Sequence, residues 1–510
     1  MASMFHRKQF TIFAIFFQVL FLILFAIFGQ YSNNAMPGGT TSTNFINTNY
    51  PLFQDVHLMT LVGMGFIMVF LRRYGLAALS INLLLTSHAI QWALIVRGFF
   101  SHEFANVGRF SISILDLITA DFVAITVLIT MGAVLGKLTP VQYMVMSAIE
   151  VPVAVAVEHL ILRYLKVIDI GRSMVIHCFG AYFGLAVAKV INKREMIAHQ
   201  HEGSSYNSNI FAMIGTLFLW AFFPSFNSAL AIPEDSRHRA ILNSYLALCS
   251  STVCTFLISQ MLDHENKVNV TLFKNSKFVS FSNKYLQLAL DLISFCACPS
   301  FYAKILQYRF SMTHISNSVL AGGIAIGTVA NIILEPFYAL LIGCLGALVS
   351  VLGNNYIRPI GARVFGLHDT RGVGSIHGLP GILAGILGFV FTAVYEPTRY
   401  GTGNVTHIYP AMSNSKEGRE IFVQAGYQLA ALVIVLLVSI IGGAVTGLIL
   451  RLNCFNRIHD KEFYSDGEFI EPPEDYDFTT RIISKIDHIE LTEHTALNKE
   501  SSSSVGPSNP

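Results

Sequence analysis

Charge is what this sequence has least of. Asp, Glu, Lys and Arg make up only 13% of its 510 residues, against 53% apolar types and a mean hydropathy of +0.55. A water-soluble chain carries about twice that share of charge, so a soluble globular protein is excluded. The net charge of +2 comes without a basic run, which removes nucleic acid as a partner. Cysteine is sparse too. The seven residues Cys178, Cys249, Cys254, Cys296, Cys298, Cys344 and Cys454 mostly stand alone in apolar segments. They read as small core residues and not as a disulfide framework. There is no phosphate loop, no Gly-x-Ser-x-Gly elbow and no nucleotide-binding domain. His199-Gln-His201 beside Glu202 reads as a solvated loop, and the histidines elsewhere are too scattered for a desaturase-like metal centre. No enzyme activity, cofactor or metal is expected.

Long apolar runs are what the chain has instead. Twelve spans are expected, at residues 10–31, 56–71, 76–96, 112–135, 140–162, 173–190, 209–231, 238–262, 318–334, 338–353, 376–395 and 422–450. The fold class is therefore an all-α polytopic membrane protein of twelve transmembrane helices. The first run is too long for a signal peptide and lacks a clear cleavage site, so it is expected to remain as a span. Twelve spans put both termini on one side. Arg7, Lys8, Arg72, Arg73, Lys137, Lys193, Arg194, Arg358, Arg363 and Arg451 gather there, which makes that side the cytoplasm. Lys166, Arg172, Arg237 and Arg239 fall outside the pattern. An apolar segment at 285–306 is interrupted by Asp291, Pro299 and Lys304. Counting it as a span would move Arg358, Arg363 and Arg451 outside, so it is read as interfacial or folded back on the cytosolic side. Residues 1–451 form the membrane domain, and 452–510 are polar, serine-rich and expected to be a largely disordered cytoplasmic tail. Asn404-Val-Thr406 lies in an outer loop as a glycosylation sequon.

Two short stretches repeat each other. Asp169-Ile-Gly-Arg-Ser-Met-Val-Ile-His177 and Asp369-Thr-Arg-Gly-Val-Gly-Ser-Ile-His377 both place a carboxylate eight positions before a histidine that opens a glycine-rich apolar run. One intramembrane histidine is as often a packing residue as a functional one. A matched pair in two halves points to one shared site. The two aspartates are candidate helix N-caps that orient the histidine helices, a reading favoured over proton handling.

Asp55-Val-His-Leu-Met59 through Arg73-Tyr-Gly75, Gly180-Ala-Tyr-Phe-Gly-Leu185 and Gly215-Thr-Leu-Phe-Leu-Trp220 through Asn227 resemble the Rh (Rhesus) glycoproteins of the ammonium transporter superfamily. So do Leu320-Ala-Gly-Gly323 and His377-Gly-Leu-Pro-Gly381. The resemblance covers roughly residues 1–262 and 312–480. It implies a homotrimer in which each subunit has its own pore between two inverted halves of five helices. The plasma membrane is the expected location, and ammonia the expected cargo, with carbon dioxide as a second candidate gas. One departure is large: residues 268–309 intervene where the family has a short loop. Removing them joins Asn266-Lys267 to Phe310-Ser-Met-Thr-His314, so an alternative transcript or unspliced intron is expected there.

The resemblance also assigns roles. His177 and His377 face each other across a narrow apolar pore as neutral imidazoles. Phe122 and Phe226 form a phenylalanine gate above them, singled out from forty phenylalanines by motif alone. Glu158 lines an outer vestibule where ammonium is recruited before losing its proton; the bland alternative is a rim charge paired with Arg163 or Lys166. Apart from the resemblance, Asp121 is an intramembrane carboxylate that needs a polar partner, and Asn227 and Asn317 are read as capping or bridging the halves. The competing readings are an electrogenic or proton-coupled ammonium transporter, with Asp121, Glu158 and the histidines as carriers, and a non-conducting ammonium sensor.

Overall fold

The computed structural model describes residues 2–38, 45–262, 310–400, 405–412 and 418–471. The insert at 268–309, the sequon Asn404 and the tail beyond residue 471 lie outside the described residues.

Among the described residues, ten helical stretches are long and apolar enough to cross a bilayer. In chain order the helices that matter here are α1 (Ala2–Phe28), α2 (Phe45–Leu58), α3 (Met64–Ile67), α4 (Gly75–Phe99), α5 (His102–Val107), α6 (Ile114–Ala133), α7 (Pro140–His159), α8 (Phe179–Ile191), α9 (Tyr206–Ser228) and α10 (Glu234–Met261). The second part of the chain adds α11 (Met312–Ser318), α12 (Ala321–Gly327), α13 (Pro336–Leu352), α14 (Arg358–Phe365), α15 (Leu379–Ala393), α16 (Val405–Ile408) and α17 (Ile421–Leu450). Local sequence sets several starts. Capping boxes at Ser113/Asp116, Thr139/Gln142 and Ser205/Ser208 satisfy the first free amides of α6, α7 and α9, and Pro140 occupies the first turn of α7, where its missing N–H costs nothing.

Two of the twelve expected spans are not single long helices. Over 56–71 the helix is interrupted by a π-turn at Met59–Gly63 and ends at Ile67; over 318–334 it is split into α11 and α12 around Val319-Leu320. The twelve-helix count thus rests on these two broken segments.

The bundle is layered by burial. Every residue of α6 from Ile118 to Ala133 is buried, so α6 runs through the interior. Only 6% of the apolar window of α1 is buried, so its side chains stand ready for lipid. A short parallel pair, β1 (Gly29–Tyr31) with β2 (Phe110–Ile112), ties the end of α1 to the start of α6. The first compact unit runs from Met1 to Ser465, past the boundary read at residue 451, because Phe463 and Tyr464 bury their rings in it. In the second unit the described residues form a short 3₁₀ turn at Asp466–Glu468.

Candidate functional site

The two repeated stretches build the same local structure twice. The Asp169 carboxylate accepts the amides of Met174 (3.0 Å) and Val175 (3.1 Å), and the Thr328 hydroxyl donates to its other oxygen at 2.7 Å. The Asp369 carboxylate accepts three amides, from Gly372 (2.9 Å), Val373 (3.0 Å) and Gly374 (2.9 Å). Both carboxylates are thereby occupied in holding helix starts whose amides have no other partner. A π-turn follows each, Ser173–Cys178 and Gly374–Gly378, and then α8 and α15. Such turns place an extra residue in the helix and recur at functional positions.

Close crossing of the two segments needs a glycine. A Cβ added at Gly381 would lie 2.9 Å from the Cys178 Cβ and 3.0 Å from the Ser173 carbonyl oxygen. The contact brings the histidines face to face. His177 Nδ1 and His377 Nδ1 are 3.1 Å apart, with parallel rings whose centroids are 5.1 Å apart. Both side chains are buried, and the His177 Nε2 has no protein partner.

Phenylalanines surround His177. Phe122 on α6 and Phe226 on α9 sit with centroids 4.5 Å apart, and Phe226 lies 5.6 Å from the His177 ring. Phe223, one helical turn before Phe226, stacks on His177 at 5.8 Å and 19°. The resemblance does not single out Phe223; its i, i+3 spacing to Phe226 is the signal the sequence offers.

Asp121 finds the partner that the sequence left open. His57 Nδ1 lies 3.2 Å from both its oxygens. His57 had been visible only as part of the Asp55-Val-His57 motif. Asn227 ties the halves together by donating to Ser244 Oγ and to the Gly323 carbonyl, both at 2.9 Å. Asn317 is held less tightly, its Oδ1 accepting from the Ser316 hydroxyl at 3.1 Å.

Glu158 is paired, though not with Arg163 or Lys166. Arg97 donates to one carboxylate oxygen and the Arg172 Nε lies 3.4 Å from the other. These residues line a cavity of ≈ 590 Å³ at the end of the bundle where α6 begins and α7 ends.

At the opposite end, outside the spans, His368 Nε2 and Glu202 Oε1 are 2.9 Å apart. The Lys137 ammonium donates to the carbonyls of Ala133 and His368, and burial pushes it down to about 7. Taken together, His177 and His377 meet inside a buried cluster with Phe122, Phe223 and Phe226, while the Arg97–Glu158–Arg172 and His368–Glu202 contacts are made by other residues, near the helix ends and loops.

Comparison with known proteins gives one answer. The Ammonium Transporter Family model matches residues 14–280 and 296–461. The chain is 36% identical over 478 residues to ammonium transporter Rh type B-B of Xenopus laevis, spanning 92% of this chain and 94% of that one. It is 37% identical over 475 residues to ammonium transporter Rh type C-like 2 of Danio rerio, spanning 90% and 87%. Among solved structures, Rh50 of Nitrosomonas europaea, a member of the Rhesus protein family of channels, aligns over 89% of this chain and 100% of its own, with a TM-score of 0.65 and 27% identity. Mep2 of Saccharomyces cerevisiae, at 15% identity and a TM-score of 0.59, shares the fold.

Proposed function

This chain belongs to the ammonium transporter family, as an integral membrane transport protein with Rh-type relatives and not an enzyme, and on that premise we propose that it conducts ammonia between His177 and His377. The observation that carries the reading is the 3.1 Å contact between two buried imidazole nitrogens beside a cluster of buried phenylalanines.

The physics of selection follows from what that passage lacks. Potassium, sodium and ammonium would each have to leave water with no carboxylate at the narrowest point to receive them, at a cost of at least several kcal/mol. Neutral ammonia carries no such cost, and an imidazole can offer it one donor or one acceptor. Ammonium therefore leaves its proton behind before the histidines, or hands it to them for separate relay. Phe122 and Phe226 close the passage to water on one side, and Asp169 and Asp369 hold the two histidine helices in place. The two broken segments, 56–71 and 318–334, count as spans in this reading. Both termini are then cytoplasmic, supported by the Lys and Arg distribution, and the location is the plasma membrane. A homotrimer with one pore per subunit is the proposed assembly, and carbon dioxide is a second gas that the same apolar passage suits.

The test is stopped-flow alkalinisation of proteoliposomes under an inward ammonium gradient. The natural chain should alkalinise the lumen faster than empty vesicles, and His177→Ala and His377→Ala should change the rate. A natural chain no faster than empty vesicles removes the channel reading.

A further inference from the structure

Arg172 stands where the backbone least favours it. Its φ of 56° and ψ of 30° are left-handed, a conformation that side chains other than Gly, Asn and Asp rarely adopt. The residue nevertheless immediately precedes the π-turn Ser173–Cys178 that carries His177. Two contacts hold it there. One guanidinium nitrogen donates to the Asp169 carbonyl at 2.9 Å, and Nε lies 3.4 Å from Glu158 Oε1. Strain of this kind persists only where the surroundings over-determine it, and it gathers at functional positions.

The consequence falls on Glu158. Arg97 takes its Oε2 and Arg172 approaches its Oε1, so two guanidiniums flank one carboxylate. The rest of the lining holds Arg163, Asp116, which caps Ser113, and Glu103, which takes the Ser111 amide and hydroxyl. Three arginines and three carboxylates leave the cavity near neutral as a whole, and Glu158 is the carboxylate with a guanidinium against each oxygen.

We propose that Arg172 is a specificity-determining residue that masks Glu158 from ammonium, so that this entrance takes up neutral ammonia from solution and does not concentrate the cation. The inference rests on the ammonia-channel reading. Without Arg172 the site would be one carboxylate against one guanidinium, with an oxygen open to an ammonium ion, a cation of the same hydrogen-bonding class as the one removed.

The experiment measures initial alkalinisation rates of proteoliposomes at constant pH against rising ammonium chloride, for the natural chain, for Glu158→Gln, for Arg172→Gly and for Arg172→Gly combined with Glu158→Gln. Glycine suits the left-handed backbone, so the variant removes the charge without adding strain. The natural chain should give a rate linear in ammonium. Arg172→Gly should become saturable, with a rate at low ammonium raised about tenfold, an increase that shrinks in high salt. The double variant should return to linear behaviour. The inference is overturned if Arg172→Gly stays linear with an unchanged rate, or if the natural chain already saturates and loses that saturation with Glu158→Gln. A natural chain without flux overturns the channel reading and this inference together. A natural chain whose flux depends on the histidines, beside an unaltered Arg172→Gly, overturns this inference alone.

Discussion

His177 and His377 present the same nitrogen to each other: Nδ1 faces Nδ1 across 3.1 Å, with the ring planes parallel. Such a contact needs one proton between the two atoms. With none, two lone pairs oppose; with two, two N–H bonds do. One ring is therefore an Nδ1 donor and the other an Nδ1 acceptor that carries its own proton on Nε2. The pair works as a unit, since removing either ring leaves the other buried and unsatisfied, a cost of about 1–3 kcal/mol. We expect His177→Ala and His377→Ala each to slow ammonia flux about tenfold, equivalent to about 1.4 kcal/mol in barrier. The double variant should be no slower than the worse single by more than about twofold, because the shared contact is already lost. Stopped-flow rates that multiply across the two sites would refute the unit.

Gly171 is where the two halves touch backbone to backbone. Its amide donates to the Gly327 carbonyl at 2.9 Å, and an added Cβ would sit 2.3 Å from Asn227 Oδ1 and 2.8 Å from the Gly327 Cα. A backbone atom cannot swing aside as a side-chain tip can, so the clash has to be met by separating the halves. Gly171→Ala should lose about 3 kcal/mol or more, seen as a lower thermal midpoint in detergent and less assembled protein. Gly426 on α17 is the matched control, with no heavy atom within 4 Å of its added Cβ. There the same change should be neutral or raise stability by up to about 1 kcal/mol, through helix propensity. Equal loss at both positions would mean that the close approach at Gly171 is not what matters.

These contacts mark how far the sequence could be read. The Asp169/His177 and Asp369/His377 repeat stood out because carboxylate, spacing and histidine all recur, and because both copies lie on apolar helices whose periodicity is local. Ten of the twelve spans followed from the same local signal. The other two read as unbroken because hydropathy counts apolar residues and does not register the π-turn at Met59–Gly63 or the split between α11 and α12. Pairings across the bundle were harder to see. Along the sequence Arg163 and Lys166 are the cations nearest after Glu158, while its partners are Arg97 from α4 and Arg172 from the far side of the loop. Nothing along the chain linked His57 to Asp121, because helices on either side of a crossing share no period. Phe463 and Tyr464 sit in a polar, low-hydropathy stretch that composition alone assigns to the tail, yet both are buried.

The opposite end of the bundle should be sensitive to acid. Burial, with the positive charges of Lys137 and Arg358, outweighs the Glu202 contact and holds His368 below its ordinary value of 6.5. Burial alone would raise Glu202, but the hydrogen bond and charge of His368, with Lys137 and Arg358, hold it below its ordinary 4.5. The signs agree. In each case the unfolded chain binds more protons than the folded one, so stability falls as pH falls, below 6.5 for the histidine and then through the lowered value of the glutamate. Lys137, at about 7, acts in the same direction between there and its ordinary 10.5. Thermal midpoints should therefore drop from pH about 7.5 to about 5, and His368→Gln should flatten that slope. A midpoint that rises on acidification would exclude this pairing as its cause.

Glu150 on α7 poses a question of proton count. Its side chain is fully buried, its Oε2 has no partner, and its Oε1 lies 2.6 Å from the Thr130 hydroxyl, which is also 2.9 Å from the Gly180 carbonyl on the histidine helix α8. One hydroxyl has one proton and cannot serve both acceptors. The arrangement closes if the carboxyl keeps its own proton and donates it to Thr130, which then donates to Gly180. A bare carboxylate would instead be buried without a cation, the costlier state. Glutamine keeps the shape and can donate through its amide, so Glu150→Gln should leave the thermal midpoint within a few degrees and the flux within about twofold. Thr130→Val breaks the chain in the middle and should cost about 1–3 kcal/mol, with slower flux because Gly180 lies one turn beyond His177. An infrared carboxylic-acid carbonyl band, present in the natural protein and absent in Glu150→Gln, would identify the proton. If that band is absent from the natural protein and Glu150→Gln collapses the fold, the residue is an ionised carboxylate and the Thr130 proton points to it instead of to Gly180.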